Sequence, residues 1–143
     1  MESNKHHSLV KKIYDYVKKL DKIEESLIEC DIFEVKGNVT RMPEGSVPDV
    51  YYKYNNTLII GEAKTDSDFE RGHSFQQYES YIKYLKKYEE MGYNCIFIIS
   101  VPWETSISAM RLIKKLIGSN KIKGIIINEL GVYREYEKNN IKQ

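Results

Sequence analysis

Three charged residues, Asp49, Glu62 and Lys64, have types and spacing that suit metal-assisted chemistry. Residues 57–64 are largely apolar and strand-like, and residues two apart in a strand point to one face, so Glu62 and Lys64 share a face. The pair Asn55-Asn56 favours a two-residue hairpin turn before that strand. Symmetric pairing about the turn places Glu62 opposite Asp49. The sequence therefore predicts two carboxylates and a lysine at one end of a buried hairpin.

Adjacent carboxylates repel each other unless a cation lies between them. Oxygen ligands with open positions suit Mg²⁺ or Mn²⁺, so Asp49, Glu62 and the carbonyl of Ala63 are candidate metal ligands. Such an ion polarises a phosphoryl oxygen and activates a bound water. Lys64 could orient or deprotonate that water and stabilise the developing negative charge. The pattern outlines a phosphodiester hydrolysis site, and the competing interpretation is a cross-strand salt bridge on a solvated sheet end.

The elements that must position these residues follow from hydrophobic periodicity. The order is α-β-β-β-α-β-α-β, which predicts a single α/β domain over residues 1–143 with a mixed central sheet flanked by helices. Residues 37–48 are rich in glycine and proline and predict a loop, and a polar tail follows Glu135. The predicted helices cover residues 8–20, 74–91 and 103–117, and the predicted strands cover residues 30–36, 49–54, 57–64, 93–101 and 124–128.

Pro48-Asp49, a hairpin and Glu62-Ala63-Lys64 together resemble the PD-(D/E)XK nuclease superfamily, which includes restriction endonucleases and archaeal-type Holliday junction resolvases. On the next helix, Gln77 and Tyr81 are similar to the QxxxY motif of RecB-type and phage-exonuclease-type members. The resemblance covers roughly residues 8–101. It implies a restriction-endonuclease-like α-β-β-β-α-β core with an additional C-terminal helix and strand.

The resemblance also implies an activity, a Mg²⁺-dependent (or Mn²⁺-dependent) deoxyribonuclease. Asp49 and Glu62 would be metal ligands, Lys64 would be the catalytic lysine, and Gln77 and Tyr81 would position DNA or the lysine. The resemblance does not decide between endonuclease and exonuclease activity, or between a role in repair, recombination or restriction. The expected partner is DNA, and a homodimer or a larger nuclease complex is possible.

Many members of the superfamily carry an acidic residue on the first helix that completes the metal site. Glu25 is chosen here because it lies nearest the first predicted strand. The other available acids in this region are Asp15, Asp21 and Glu24. The cysteine cluster of some RecB-like relatives is absent, and the two cysteines are expected to be reduced core thiols.

The residues on the second helix have ordinary alternatives. Ser74-Phe75-Gln76-Gln77 fits a capping box, in which Gln77 would only reach back to the helix start. Tyr81 falls in a stripe with Tyr84 and Tyr88 that packing alone would explain. His73, in the loop before the helix, could contact a phosphate or simply be solvated.

Other charged segments are treated in the same way. Asp66, Asp68 and Glu70 could form a second metal site, but acids near a helix start are favoured electrostatically. His6-His7 is expected to be a mobile terminus with no third ligand for zinc. A second Glu-x-Lys, residues 34–36, lacks a preceding Pro-Asp. Residues 105–128 contain no acid, so they could track a phosphate backbone or form a solvated face; their cations are Arg111, Lys114, Lys115, Lys121 and Lys123.

Composition limits the function classes. The chain has 143 residues and a net charge of +1, which excludes a uniformly basic nucleic-acid coat. No apolar run reaches the roughly 18 residues of a membrane span, and the N-terminus lacks a signal-like stretch, so a cytoplasmic protein without membrane contact is expected. Two alternatives to the enzyme remain: a non-catalytic nucleic-acid-binding or partner-binding subunit with a nuclease-like fold, and an interaction protein using its 12 tyrosines.

Overall fold

The computed structural model describes residues 4–31, 39–69 and 72–137. They form one six-stranded sheet in the order β1-β2-β3-β4-β5-β6, with helices on both faces. Short 3-10 turns cover Glu25–Leu27 and Trp103–Thr105. The helices are α1 (Asn4–Lys18), α2 (Asp66–Phe69), α3 (Gly72–Glu90) and α4 (Ser106–Ile117); the strands are β1 (Glu29–Cys30), β2 (Val50–Tyr54), β3 (Thr57–Ala63), β4 (Asn94–Ser100), β5 (Ile122–Ile127) and β6 (Tyr133–Tyr136).

The sheet is mixed because two kinds of connection build it. Strands β1, β2 and β3 pair antiparallel, β3, β4 and β5 pair parallel, and β6 returns antiparallel to β5. Helices α3 and α4 cover one face of the sheet, and α1 covers the other. The central strands are apolar along almost their whole length because both of their faces are buried. The predicted α/β class with a mixed sheet flanked by helices is confirmed.

The hairpin between β2 and β3 fixes the register on which the candidate site depends. Asn55 and Asn56 both have positive φ angles, 52° and 66°, as a two-residue type I′ turn requires. Val50 pairs with Gly61, so the next position places Asp49 level with Glu62. The hairpin and its register agree with the prediction from Asn55-Asn56.

Gly61 sets the position of α1 on the sheet. A Cβ atom at this residue would lie 2.6 Å from Cγ2 of Ile13, so only glycine lets the helix approach β3 this closely. Gly124 plays the same part for α4, where a Cβ would lie 2.5 Å from Cγ2 of Ile113. Glycine inside a strand marks close approach of this kind.

Several element boundaries differ from the sequence prediction. The first helix begins at Asn4 rather than residue 8, and its polar first turn gave no periodic signal. The first strand is described only at Glu29–Cys30, and residues 32–36 of the predicted strand lie outside the described residues. Strand β6 was not predicted, because an exposed edge strand shows no buried apolar pattern.

Two smaller expectations can also be compared with the structure. Cys30 and Cys95 are free and buried, as predicted. Among the helices that the structure describes, none is both long and apolar enough to cross a membrane.

Candidate active site

The candidate site lies where β2 begins and β3 ends. Glu62 is 4% exposed and Asp49 is 7% exposed, although both are ionisable. The alternative of a salt bridge on a solvated sheet end therefore does not describe these residues. The structure brings Asp49, Glu62 and Lys64 together at this edge, as the hairpin register predicted.

Two different elements hold the carboxylate of Glu62. Tyr81, from α3, donates its hydroxyl proton to Oε1 at 2.9 Å, and Nζ of Lys64 lies 3.3 Å from Oε2. Burial, and then the neighbouring Asp49 carboxylate, raise the pKa of Glu62 to about 8. Tyr81 is itself fully buried and packs against Phe97, so the packing interpretation applies to a residue that also contacts Glu62.

Gln77 holds the amine of Lys64. Its Oε1 accepts a hydrogen bond from Lys64 Nζ at 2.8 Å. The capping-box alternative does not apply, because α3 begins at Gly72 and Ser74 lies inside it, where its hydroxyl donates to the carbonyl of Asp68. Gln77 and Tyr81, one helical turn apart, thus contact the lysine and the glutamate respectively.

Asp49 is held by the backbone of β3 and contacted by α1. Its Oδ2 accepts a hydrogen bond from the Ala63 amide at 2.9 Å and lies 3.4 Å from Nε2 of His6. The interpretation of His6 as part of a mobile terminus was wrong, since the residue lies in the first turn of α1. His6 and Ile13 are seven residues apart, which places them on one face of the helix. Extending the apolar stripe of the first helix by two turns towards the N-terminus would have predicted that His6 faces the sheet.

The structure does not bring Glu25 to the other site residues. Glu25 is exposed, and its Oε2 accepts a hydrogen bond from the hydroxyl of Tyr14 at 3.1 Å. Tyr14 is eight residues beyond His6, about 12 Å along α1. The first helix approaches Asp49 with a histidine rather than with an acid.

The Ala63 carbonyl is well suited to bind a ligand. The register places Pro48 opposite Ala63, and proline has no amide proton to offer this carbonyl. Within residues 4–31, 39–69 and 72–137, no three His, Cys, Asp or Glu side chains converge closely enough to enclose a metal ion. A metal at this edge would therefore combine the Asp49 and Glu62 carboxylates with a backbone oxygen and solvent.

The remaining charged candidates have other surroundings. Asp66 accepts a hydrogen bond from Thr105, and Asp68 accepts one from Thr65; both acids lie in the first turn of α2. Glu70 lies outside the described residues, as does the second Glu-x-Lys. His73 is exposed in the first turn of α3 rather than in a loop.

Two cations of the basic stretch, Lys121 and Lys123, lie towards the other end of the sheet. Ile122 is level with Cys95 and, through it, with Leu58. Glu62 is four residues further along β3, about 13 Å away at the usual strand rise. Lys121 is therefore separated from the candidate site by most of the length of β3. Arg111 and Lys115, on α4, instead border a pocket with Phe69 and Phe75.

Comparison with known proteins gave no relative. No family model matches the chain, and no curated protein or solved structure matches it. The chemistry of the site is therefore the basis for inferring what the protein does.

Proposed function

We propose that the chain is a metal-dependent nuclease that hydrolyses DNA phosphodiester bonds. The observation that carries the proposal is the buried pair Glu62 and Lys64 beside Asp49, with each side chain held by a contact from elsewhere in the fold. Groups with shifted pKa values that several elements hold in place are typical of functional sites. The resemblance to PD-(D/E)XK nucleases rests on these same residues.

The charge balance of the site favours a bound cation. Asp49 and Glu62 contribute two negative charges when ionised, and Lys64 contributes one positive charge. Buried carboxylates without full compensation are costly, which the raised pKa of Glu62 reflects. A divalent cation would supply the missing positive charge.

The donor atoms fit Mg²⁺ or Mn²⁺. The carboxylates of Asp49 and Glu62 and the carbonyl of Ala63 are hard oxygen donors, which these ions prefer. The imidazole of His6 contacts Asp49 and would hold that carboxylate in place beside the ion. When bound, the ion would polarise a phosphoryl oxygen and lower the pKa of a coordinated water.

The remaining roles belong to the protein's own side chains. Lys64 would orient the attacking water and stabilise the negative charge that develops on the phosphate. Gln77 holds the Lys64 amine at 2.8 Å, and so fixes its direction. Tyr81 donates a hydrogen bond to one oxygen of Glu62. Burial and the adjacent Glu62 raise the pKa of the Tyr81 phenol, so the phenol stays protonated and remains a donor.

A cleavage assay tests the proposal. The protein is incubated with Mg²⁺ or Mn²⁺ and with linear, circular, single-stranded and four-way-junction DNA, beside the variants Asp49→Ala and Lys64→Ala. We expect the wild type to cleave at least one substrate and both variants to be defective. Cleavage that survives in both variants would contradict the site assignment. An inactive wild type would instead favour the non-catalytic subunit.

A further inference from the structure

A cavity of about 470 Å³ adjoins the candidate active site on the side of Gln77. Gln77 accepts the hydrogen bond from Lys64 and also lines the cavity, so the two spaces share a wall. One side of the cavity is the loop before β2, and the other is the beginning of α3. The lining residues are Glu44, Gly45, Ser46, Val47, His73, Gln76 and Gln77.

Glu44 anchors the loop side of this cavity. Its Oε2 accepts hydrogen bonds from the amide and the hydroxyl of Ser46, and its Oε1 accepts one from Ser80 of α3. The loop is thus tied to α3 beside the cavity. A carboxylate has about four acceptor positions, so Oε1 retains capacity for a further donor.

We propose that this cavity binds one unstacked nucleobase that carries an exocyclic amino group, next to the phosphate being cleaved. The inference rests on the nuclease function proposed above and specifies its substrate as single-stranded nucleic acid. The amino group would donate to Glu44, and the amide of Gln76 would contact the base edge as both donor and acceptor. Single-stranded nucleic acids present these edges freely.

The charges at the cavity favour a base over a phosphate. The Glu44 carboxylate would repel a phosphate, and the nearby Arg41 guanidinium donates to the carbonyl of Gly45 without lining the cavity itself. Lys64 lies on the other side of Gln77 and would attract a phosphate. A backbone entering here would therefore turn its phosphate towards Lys64 and its base towards Glu44.

The burial of the candidate catalytic residues points to the same substrate. Asp49 and Glu62 are buried, so the phosphate must enter the protein surface rather than lie across it. In an intact duplex the base edges are paired and the faces are stacked, and exposing one base costs a few kcal/mol. A single strand, a flap or a frayed end can bring its phosphate to the buried residues and place a free base in the cavity without the free-energy cost of opening a base pair.

Binding measurements without divalent ions test this inference, because no cleavage occurs. Fluorescence anisotropy with EDTA near pH 8 would compare oligo-dC, oligo-dU and a blunt duplex, each about 12 nucleotides long. Cytosine carries the exocyclic amino donor at the position where uracil carries a carbonyl oxygen, which Glu44 would repel. On the same edge uracil offers only its N3–H as a donor, and cytosine has an acceptor there. We expect oligo-dC to bind about tenfold more tightly than oligo-dU, the effect of one hydrogen bond to a charged acceptor, and the duplex to bind more weakly than either.

Two variants locate the effect. Glu44→Gln offers a donor as well as an acceptor, so the preference for oligo-dC should fall below about twofold. Gln76→Ala, at an exposed helical position, should weaken binding of both oligonucleotides and serves if Glu44→Gln does not fold. Glu90→Gln, an equivalent change at the exposed end of α3, is the control and should keep the preference.

The outcomes separate this inference from the nuclease proposal. Equal binding of oligo-dC and oligo-dU, a preference that Glu44→Gln retains, unchanged binding of both oligonucleotides by Gln76→Ala, or tighter binding of the duplex would overturn the base site even if the enzyme cleaves DNA. A preference that Glu44→Gln removes would support the base site even if no DNA is cleaved in the presence of Mg²⁺.

Discussion

Two ion pairs of almost equal length lie at opposite ends of the sheet. Lys64 and Glu62 are 3.3 Å apart with side chains 13% and 6% exposed, whereas Lys123 and Glu137 are 3.4 Å apart with side chains 34% and 35% exposed. Solvent screens the second pair, so its contribution to stability is about 0–1 kcal/mol. The first pair carries a desolvation cost that its attraction does not reliably repay.

We interpret the difference in burial between the two ion pairs as functional, because their surroundings also differ. The buried pair lies beside a second carboxylate, that of Asp49. Within the pair, Glu62 accepts a further hydrogen bond from α3, and Lys64 donates one to α3. Such an arrangement gives fixed geometry rather than stability. The comparison therefore predicts that changes at the buried end alter activity, whereas equivalent changes at the exposed end do not.

The largest effect is expected at Asp49. Asp49→Asn removes one of the two proposed carboxylate ligands while keeping an acceptor for the Ala63 amide, so cleavage should slow about a thousandfold. The rate of DNA cleavage in the presence of Mg²⁺ measures this loss of activity. Glu90→Gln, which removes an exposed carboxylate from α3, should leave the rate unchanged. Equal losses in both variants would contradict the assignment.

Lysine substitutions compare the two pairs directly. Lys64→Met should slow cleavage about a hundredfold, because the charge that would stabilise the transition state is lost. Lys123→Met should stay within about twofold of the wild type in the same assay. If Lys123→Met also weakens DNA binding strongly, the basic end belongs to the substrate surface and the contrast between the ends fails.

Glu62 should show a trade-off between stability and activity. Its pKa is raised in the folded protein, so the unfolded chain ionises more readily and stability falls as pH rises from about 4.5 towards about 8. Glu62→Gln removes this charge and keeps an acceptor for Tyr81. In EDTA we expect the variant to be about 2 kcal/mol more stable than the wild type near pH 8 and to lose activity.

Urea denaturation at several pH values measures that effect. The gain should shrink towards pH 5, where the wild-type carboxyl is protonated as well. The control, Glu137→Gln at the exposed pair, should change the free energy of unfolding by less than about 1 kcal/mol at every pH. A variant that is less stable than the wild type near pH 8 would show that Lys64 fully compensates Glu62.

The sequence predicted the site where its geometry is local and missed it where distant segments meet. The Asn55-Asn56 turn sets the hairpin register, so the proximity of Asp49 and Glu62 could be read from the chain. The contact of His6 with Asp49 depends on how α1 crosses the sheet, which Gly61 and Ile13 determine across almost 50 residues. Hydrophobic periodicity carries no information on such a crossing.

The contacts that Gln77 and Tyr81 make from α3 also depend on how distant segments pack together. The spacing of Gln77 and Tyr81 placed both on one helix face, but it could not say which faces the lysine and which the glutamate. That assignment requires the depth of α3 above β3, which the packing of Tyr81 against Phe97 determines. Edge strand β6 was missed because three of its four residues are exposed.

The smallest predicted effect tests whether Gln77 acts through Lys64. Gln77→Ala removes the acceptor from the lysine and should lower kcat about tenfold with little change in KM, as loss of a positioning residue does. Gln77→Glu retains a carbonyl-type oxygen for Lys64 Nζ and should restore much of the rate. A purely structural role in α3 would give the opposite pattern, since alanine is the better helix former and would leave kcat unchanged.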